Sequence, residues 1–152
     1  MEYLQKLQRI LQEYEQAVQE VQKKRRIFDG MLGLGNHPGN AACHDTLDQQ
    51  TEKLCTEVSE EGSAEEAAAL VEAIFGAEGQ WEGPEYARLM LIAIQRHTIA
   101  LAERMGDEAR QKLAARYEKE YPRSRRLPVQ EQVLKCLRSG KQKKTDSERL
   151  SR

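Results

Sequence analysis

The sequence predicts an all-α fold, an antiparallel helical bundle of five to six helices with a Gly-rich loop between helices 1 and 2. Leu, Ala, Glu, Gln, Lys and Arg dominate the chain, whereas the β-branched residues that favour strands are sparse. Apolar side chains recur every three or four residues, and no segment alternates apolar and polar residues for long. Short connections between the predicted helices favour an antiparallel arrangement.

The first predicted helix runs from Glu2 to Phe28 and carries a seven-residue apolar repeat. Its apolar side chains follow alternating three- and four-residue steps, with only Arg25 out of pattern: Leu4, Leu7, Leu11, Tyr14, Val18, Val21 and Phe28. Such a seam is typical of a coiled coil or of a helix inside a bundle. It therefore predicts either a protein partner, including a second copy of this chain, or packing within the chain's own bundle.

The segment Gly30–Asp45 interrupts the helical pattern and is rich in glycine. Its glycines permit tight turns, so we expect a compact loop that reverses the chain. Helix 2 is predicted to follow over Ala42–Glu61 and to stop at Gly62. Ser63 and Glu66 then have the spacing of a capping box, which predicts the start of helix 3.

The second half of the chain is predicted to form three more helices. Helix 4 extends to about Met105 and is apolar almost all round over Leu89–Ile94, which indicates the most buried helix. Helix 5 ends before Pro122, and a short helix 6 follows. We expect one domain over residues 1–138 and a basic, disordered tail over residues 139–152, because the tail lacks apolar content.

Charge is distributed unevenly along the chain, although the net charge is only −1. Residues 1–122 hold 14 Lys and Arg against 22 Asp and Glu, a net −8, whereas residues 123–152 hold 10 against 3, a net +7. A basic segment of this kind can hold phosphates non-specifically. It contains no aromatic side chain for base stacking, so we expect a solvated tail rather than nucleic-acid binding.

Hydropathy and cysteine content indicate where the chain resides. No stretch approaches the ~18–20 apolar residues that span a bilayer, so we expect no membrane partner. The N-terminus lacks the cationic start and apolar block of a signal peptide, which favours the cytoplasm. The chain has 3 cysteines, Cys43, Cys55 and Cys136, and an odd number in a reducing compartment predicts free thiols.

Candidate metal ligands lie around the Gly30–Asp45 loop and the start of helix 2. They offer imidazole, thiolate and carboxylate groups, the ligand types of zinc: His37, Cys43, His44 and Asp48. Their spacing matches no established zinc pattern, and adjacent helical residues such as Cys43 and His44 diverge by about 100°. The alternative is that Cys43 is a small buried apolar side chain. Both a zinc site and a structural role stay open, and no other cofactor is indicated.

Two further residues are candidate ligand contacts. His97 falls at the centre of the apolar face of helix 4, where its ring needs a partner: a backbone carbonyl, a tyrosine or an acid from a neighbouring helix. The alternative is a functional role, in which His97 lines a pocket together with His37 and His44. Trp81, in a glycine-rich loop, either contacts a ligand or closes one end of the bundle.

No segment supplies a recognisable set of catalytic residues. A nucleophilic pair such as Cys43 with His97 needs an orienting group and an oxyanion hole, and neither is indicated. We therefore expect a binding protein rather than an enzyme, in the first place a protein-interaction or self-associating module that uses the coiled-coil-like seam of helix 1. The alternatives are a ligand- or metal-binding protein, catalytic or not, with its site at the Gly30–Asp45 loop, and nucleic-acid association through the basic C-terminus.

Overall fold

The described part of the protein consists of α-helices joined by short turns and 3-10 helices. The computed structural model describes the backbone of residues 2–32 and 39–139 and the side chains of residues 2–23 and 41–139. The α-helices are α1 (Glu2–Leu32), α2 (Gly39–Glu61), α3 (Ala64–Ala77), α4 (Glu85–Ala93), α5 (Ile99–Ala102), α6 (Asp107–Glu120) and α7 (Pro128–Ser139). The 3-10 helices are Glu78–Gln80, Ile94–Thr98 and Arg123–Arg125. These ranges contain no strand, so the predicted all-α class is confirmed.

Helices α1 and α2 pack against each other in opposite directions. Lys6, near the start of α1, donates to Glu57 near the end of α2, with 3.0 Å between Nζ and Oε1. Tyr14, further along α1, lies opposite His44 near the start of α2. The two helices are therefore antiparallel, as in the predicted bundle.

The ends of the first two helices differ from the prediction. Helix α1 continues past Phe28 to Leu32, because Met31 and Leu32 are strong helix formers and outweigh the single Gly30. Helix α2 begins at Gly39 rather than Ala42. The centre of the predicted Gly-rich loop, residues 33–38, lies outside the described residues.

Most of the described part of the apolar seam of α1 is buried inside the chain's own bundle, and Leu4 and Leu11 are partly buried. Leu7, Tyr14, Val18 and Val21 are each at most 8% exposed. Leu7 belongs to a large cluster of buried apolar side chains that also contains residues of α2, α3, α6 and α7. Tyr14 and Val18 belong to a smaller cluster with residues of α2 and α4. This stretch of the seam is therefore occupied by intramolecular packing.

The capping box predicted before α3 is present. The Glu66 backbone amide donates to Ser63 Oγ at 3.1 Å, and the Ser63 amide donates back to Glu66 Oε1 at 2.9 Å. Two backbone amides at the helix start are thereby satisfied, which fixes Ser63 as the N-cap and the beginning of α3 at Ala64.

The predicted fourth helix is interrupted by the 3-10 segment Ile94–Thr98 between α4 and α5. Polar side chains donate hydrogen bonds to backbone carbonyls there. Thr98 Oγ1 donates to the Gln95 carbonyl at 2.7 Å, and Arg96 Nη1 donates to the Ala93 carbonyl at 3.1 Å. Such local bonds compete with regular helical hydrogen bonding. The expectation of one continuous α-helix is therefore wrong at this point, and the interruption carries His97.

Candidate functional site

His97 and Asp48 form a hydrogen-bonded pair between the 3-10 segment and α2. His97 Nε2 lies 2.8 Å from Asp48 Oδ1, although the residues are 49 positions apart in the chain. Only 10% of the His97 side chain and 24% of the Asp48 side chain are exposed. Of the partners that the sequence left open for this histidine, the structure shows the acid of a neighbouring helix.

Arg96 places a positive charge on the same carboxylate oxygen. Its Nη2 lies 2.6 Å from Asp48 Oδ1. Burial raises the pKa of Asp48, but the hydrogen bonds from His97 and Arg96 and the guanidinium charge together outweigh burial, so the pKa lies below its usual value. Asp48 is therefore ionised at neutral pH, and His97 Nε2 donates its proton to that carboxylate.

Glu52 adds a second carboxylate to this pair. It follows Asp48 by four residues, and residues four apart share one face of an α-helix. One ligand atom from each of Asp48, Glu52 and His97 lies within 4.8 Å of the other two. Within the described residues, the exposed Glu52 carboxylate has no hydrogen bond or ion pair. We refer to these three side chains as the acid–histidine cluster.

The acid–histidine cluster has the chemistry and nearly the dimensions of a zinc site. Imidazole nitrogen and carboxylate oxygen bind zinc at about 2.1 Å, which places tetrahedral ligand atoms about 3.4 Å apart. The Nε2–Oδ1 separation of 2.8 Å in the pair is already close to that distance. Glu52 would move its carboxylate by up to about 1.5 Å, a side-chain rotation that breaks no existing bond of Glu52.

A cavity of about 330 Å³ opens beside the cluster. Its polar wall consists of Glu52, Thr56, Arg96, His97 and Gln132, and the rest of the wall is largely apolar. The volume lies at the small end of the range for ligand pockets, roughly 300–1,000 Å³. Because Glu52 and His97 belong both to the cluster and to the wall, an ion held by the cluster would face the cavity.

Cys55 also lines this cavity, but it is not an activated nucleophile. Its side chain is 1% exposed, and burial raises the pKa of the thiol to about 12. The reactive form of cysteine is the thiolate, which this environment disfavours at neutral pH. The cavity is therefore suited to binding rather than to thiol chemistry.

Three of the predicted ligand residues gather around Tyr14 instead. His44 Nδ1 lies 2.9 Å from Tyr14 Oη, and the Trp81 and Tyr14 ring centroids are 5.8 Å apart. Trp81 Nε1 donates to the Pro84 carbonyl at 3.0 Å, and Cys43 packs half-buried against the same apolar cluster. Burial lowers the pKa of His44, although the nearby Asp45 charge opposes this, so the neutral imidazole is favoured.

The predicted zinc ligands are thus divided between two places. Asp48 lies in the acid–histidine cluster, and His44 lies against Tyr14. Within the described residues, the ligand atoms of Cys43, His44 and Asp48 do not lie as close to one another as those of the acid–histidine cluster. His37 lies outside the described residues, so its predicted part in a metal or ligand site stays a prediction.

Glu52 and Arg96 are the members of this site that were not singled out from the sequence. For Glu52 the available signal is its four-residue spacing from Asp48. For Arg96 it is the position directly before His97. Neither signal is specific, because α2 carries several exposed carboxylates at comparable spacings. Only the packing of the 3-10 segment on α2 distinguishes Glu52 from the others.

Part of the basic C-terminal region is engaged in ion pairs within the chain. Arg126 lies 2.7 Å from Glu131, and Arg138 pairs with Glu118. Residues 140–152, which include the last cluster of lysines, lie outside the described residues. The expectation that this region is a solvated tail rather than a nucleic-acid contact stays a prediction.

Comparisons with protein-family models, with curated proteins and with solved structures find no match. No helix in the described ranges is long and apolar enough to cross a membrane. We therefore infer a role for the acid–histidine cluster from the chemistry of its own side chains.

Proposed function

We propose that this protein binds a divalent metal ion, zinc in the first place, through the acid–histidine cluster of Asp48, Glu52 and His97. The observation that carries the proposal is the convergence of three zinc-type ligand atoms within 4.8 Å, beside a cavity. The His97–Asp48 pair alone would satisfy a buried histidine. Glu52 adds an unbonded carboxylate to that pair, which a structural role of the histidine does not require.

Charge at the cluster supports a cation. Asp48 and Glu52 contribute two negative charges at neutral pH, and Arg96 offsets one of them by pairing with Asp48 Oδ1. A divalent ion would compete with Arg96 for that oxygen and would replace the proton on His97 Nε2. The imidazole would then carry its ring proton on Nδ1.

Self-association, the role predicted from the seam of helix 1, has less structural support. Four of the six described seam side chains are buried in the bundle, and Leu4 and Leu11 are partly buried. Among the described residues, the large apolar side chains with substantial exposure are Leu89 at 48% and Leu127 at 40%, on α4 and just before α7. A protein partner stays a prediction, and sedimentation of the purified chain at high concentration would test the dimer.

Calorimetric titration of the metal-free protein with Zn²⁺ tests the proposal. We expect one ion per chain. Glu52→Gln should lower the Zn²⁺ affinity by at least about tenfold, because changing a residue that only supports a metal ligand already costs about that much. Glu60→Gln is the matched control, because Glu60 is another exposed glutamate of α2 and lies outside the cluster. It removes the same charge and should leave the affinity unchanged.

Two results would contradict the proposal. The first is the absence of stoichiometric Zn²⁺ binding by the folded wild-type chain. The second is an equal loss of affinity in Glu52→Gln and Glu60→Gln, which would indicate non-specific attraction to the acidic surface. Circular dichroism of each variant verifies that it is folded, and both substituted residues are exposed.

A further inference from the structure

The cavity beside the acid–histidine cluster is also lined by polar and apolar side chains that do not serve as metal ligands in the proposed site. Three protein ligands leave at least one coordination position of zinc open, as in catalytic zinc sites. Glu52 and His97 line the cavity, so an ion bound to them would adjoin it. A molecule that enters the cavity could therefore complete the coordination of the ion.

Arg96 is placed to contact such a molecule. Its side chain is 43% exposed and also lines the cavity, while its Nη2 is held on Asp48 Oδ1. A metal ion on Asp48 would neutralise the charge that holds the guanidinium there. Arg96 Nη1 donates to the Ala93 carbonyl at 3.1 Å, so Arg96 would then present Nη2 to the cavity as a charged donor for a carboxylate oxygen.

The charge of the loaded site selects a monoanion. The ion's two positive charges and the guanidinium's single charge exceed the two carboxylates of Asp48 and Glu52 by one. A monocarboxylate would make the site neutral, whereas a phosphate dianion would leave an excess negative charge in a partly buried place. Desolvating such an uncompensated charge is unfavourable.

The remaining wall limits the body of the ligand. Ile99, Ala100 and the neutral Cys55 thiol provide an apolar surface, and Thr56 and Gln132 provide neutral polar groups. A cavity of about 330 Å³ admits only a small molecule. The wall thus suits a short carbon chain that carries a hydroxyl or carbonyl group next to its carboxylate.

We propose, on the basis of the metal site above, that this cavity binds a small monocarboxylate whose oxygen atoms bridge the metal ion and the Arg96 guanidinium. Arg96 then has two opposite effects. In the protein without a carboxylate it competes with the cation for Asp48 Oδ1, and in the loaded protein it holds the anion.

Cobalt substitution provides the test, because the visible spectrum of Co²⁺ reports changes in its ligands. The wild-type chain is loaded with Co²⁺ and titrated with glycolate, acetate and inorganic phosphate. We expect glycolate to shift the spectrum saturably and to bind more tightly than phosphate. Arg96→Gln should raise Co²⁺ affinity and weaken glycolate binding at least about tenfold, since a charge-assisted bond is lost.

Arg116→Gln is the control, because Arg116 is an exposed arginine that pairs with Glu72 away from the cavity. It should change neither affinity. If Co²⁺ binds but neither carboxylate alters its spectrum, the ligand inference fails and the metal proposal stands. If phosphate binds more tightly than glycolate, or if Arg96→Gln lowers both affinities together, the inference is also overturned. If Co²⁺ does not bind, both proposals fail.

Discussion

Thr51, one turn after Asp48 on α2, offers a quantitative test of the packing behind the site. Its side chain is 0% exposed, and its Oγ1 has no hydrogen-bond partner among the described residues. An unsatisfied buried hydroxyl costs about 1–3 kcal/mol. Valine has the same shape and replaces the hydroxyl with a methyl group. We therefore expect Thr51→Val to raise the free energy of unfolding by about 1–3 kcal/mol.

Thr98→Val is the matched control for this change. Thr98 is 1% exposed, but its Oγ1 donates to the Gln95 carbonyl at 2.7 Å. Its replacement loses a hydrogen bond with a net value of about 1 kcal/mol, which burial of the new methyl group partly offsets. The free energy of unfolding should therefore stay the same or fall slightly.

Urea unfolding followed by circular dichroism measures both variants, and equal m-values would show that the transitions are comparable. The reasoning is refuted if Thr51→Val destabilises the chain as much as Thr98→Val does. That result would mean that the Thr51 hydroxyl has a polar partner, such as a buried water, whose loss costs free energy.

Three further outcomes follow from the described contacts. Ser63→Ala should lower the free energy of unfolding by about 1 kcal/mol through loss of the cap, and urea unfolding would show no change if the capping box contributed nothing. Since burial lowers the pKa of His44 below its usual value of 6.5, the unfolded chain binds this proton more readily, and stability should fall as the pH drops below 6.5. His44→Gln, which keeps an acceptor for Tyr14, should flatten the pH dependence of the unfolding free energy in that range, and an unchanged slope would contradict the assignment. In the folded protein, Cys43 should react with a thiol reagent before the other two cysteines, which are buried. Equal rates for all three would contradict that order.

The helices were largely predictable because their signals are local. The heptad seam of α1 and the capping box of Ser63 and Glu66 need only neighbouring residues, and both are present in the structure. The interruption at Ile94–Thr98 was not predicted, because apolar periodicity alone continues through it. It arises where Thr98 and Arg96 side chains bond to backbone carbonyls, and such competition is not visible in a hydropathy pattern.

The candidate site could be predicted only in part, because it forms by contact between distant segments. Asp48 and His97 were each noted from the sequence, but as members of different candidate groups. Their pairing depends on how the 3-10 segment packs on α2, which no local spacing specifies. Glu52 was indistinguishable from the other exposed glutamates of α2 until that packing was known.

X-ray absorption spectroscopy of the zinc-loaded chain tests the central proposal most directly. Ligation by Asp48, Glu52 and His97 predicts nitrogen and oxygen atoms at about 2.0–2.1 Å and the multiple scattering of one imidazole. A sulfur atom at about 2.3 Å would instead indicate a cysteine ligand, such as Cys43 of the set predicted from the sequence, and would contradict the acid–histidine cluster as the site.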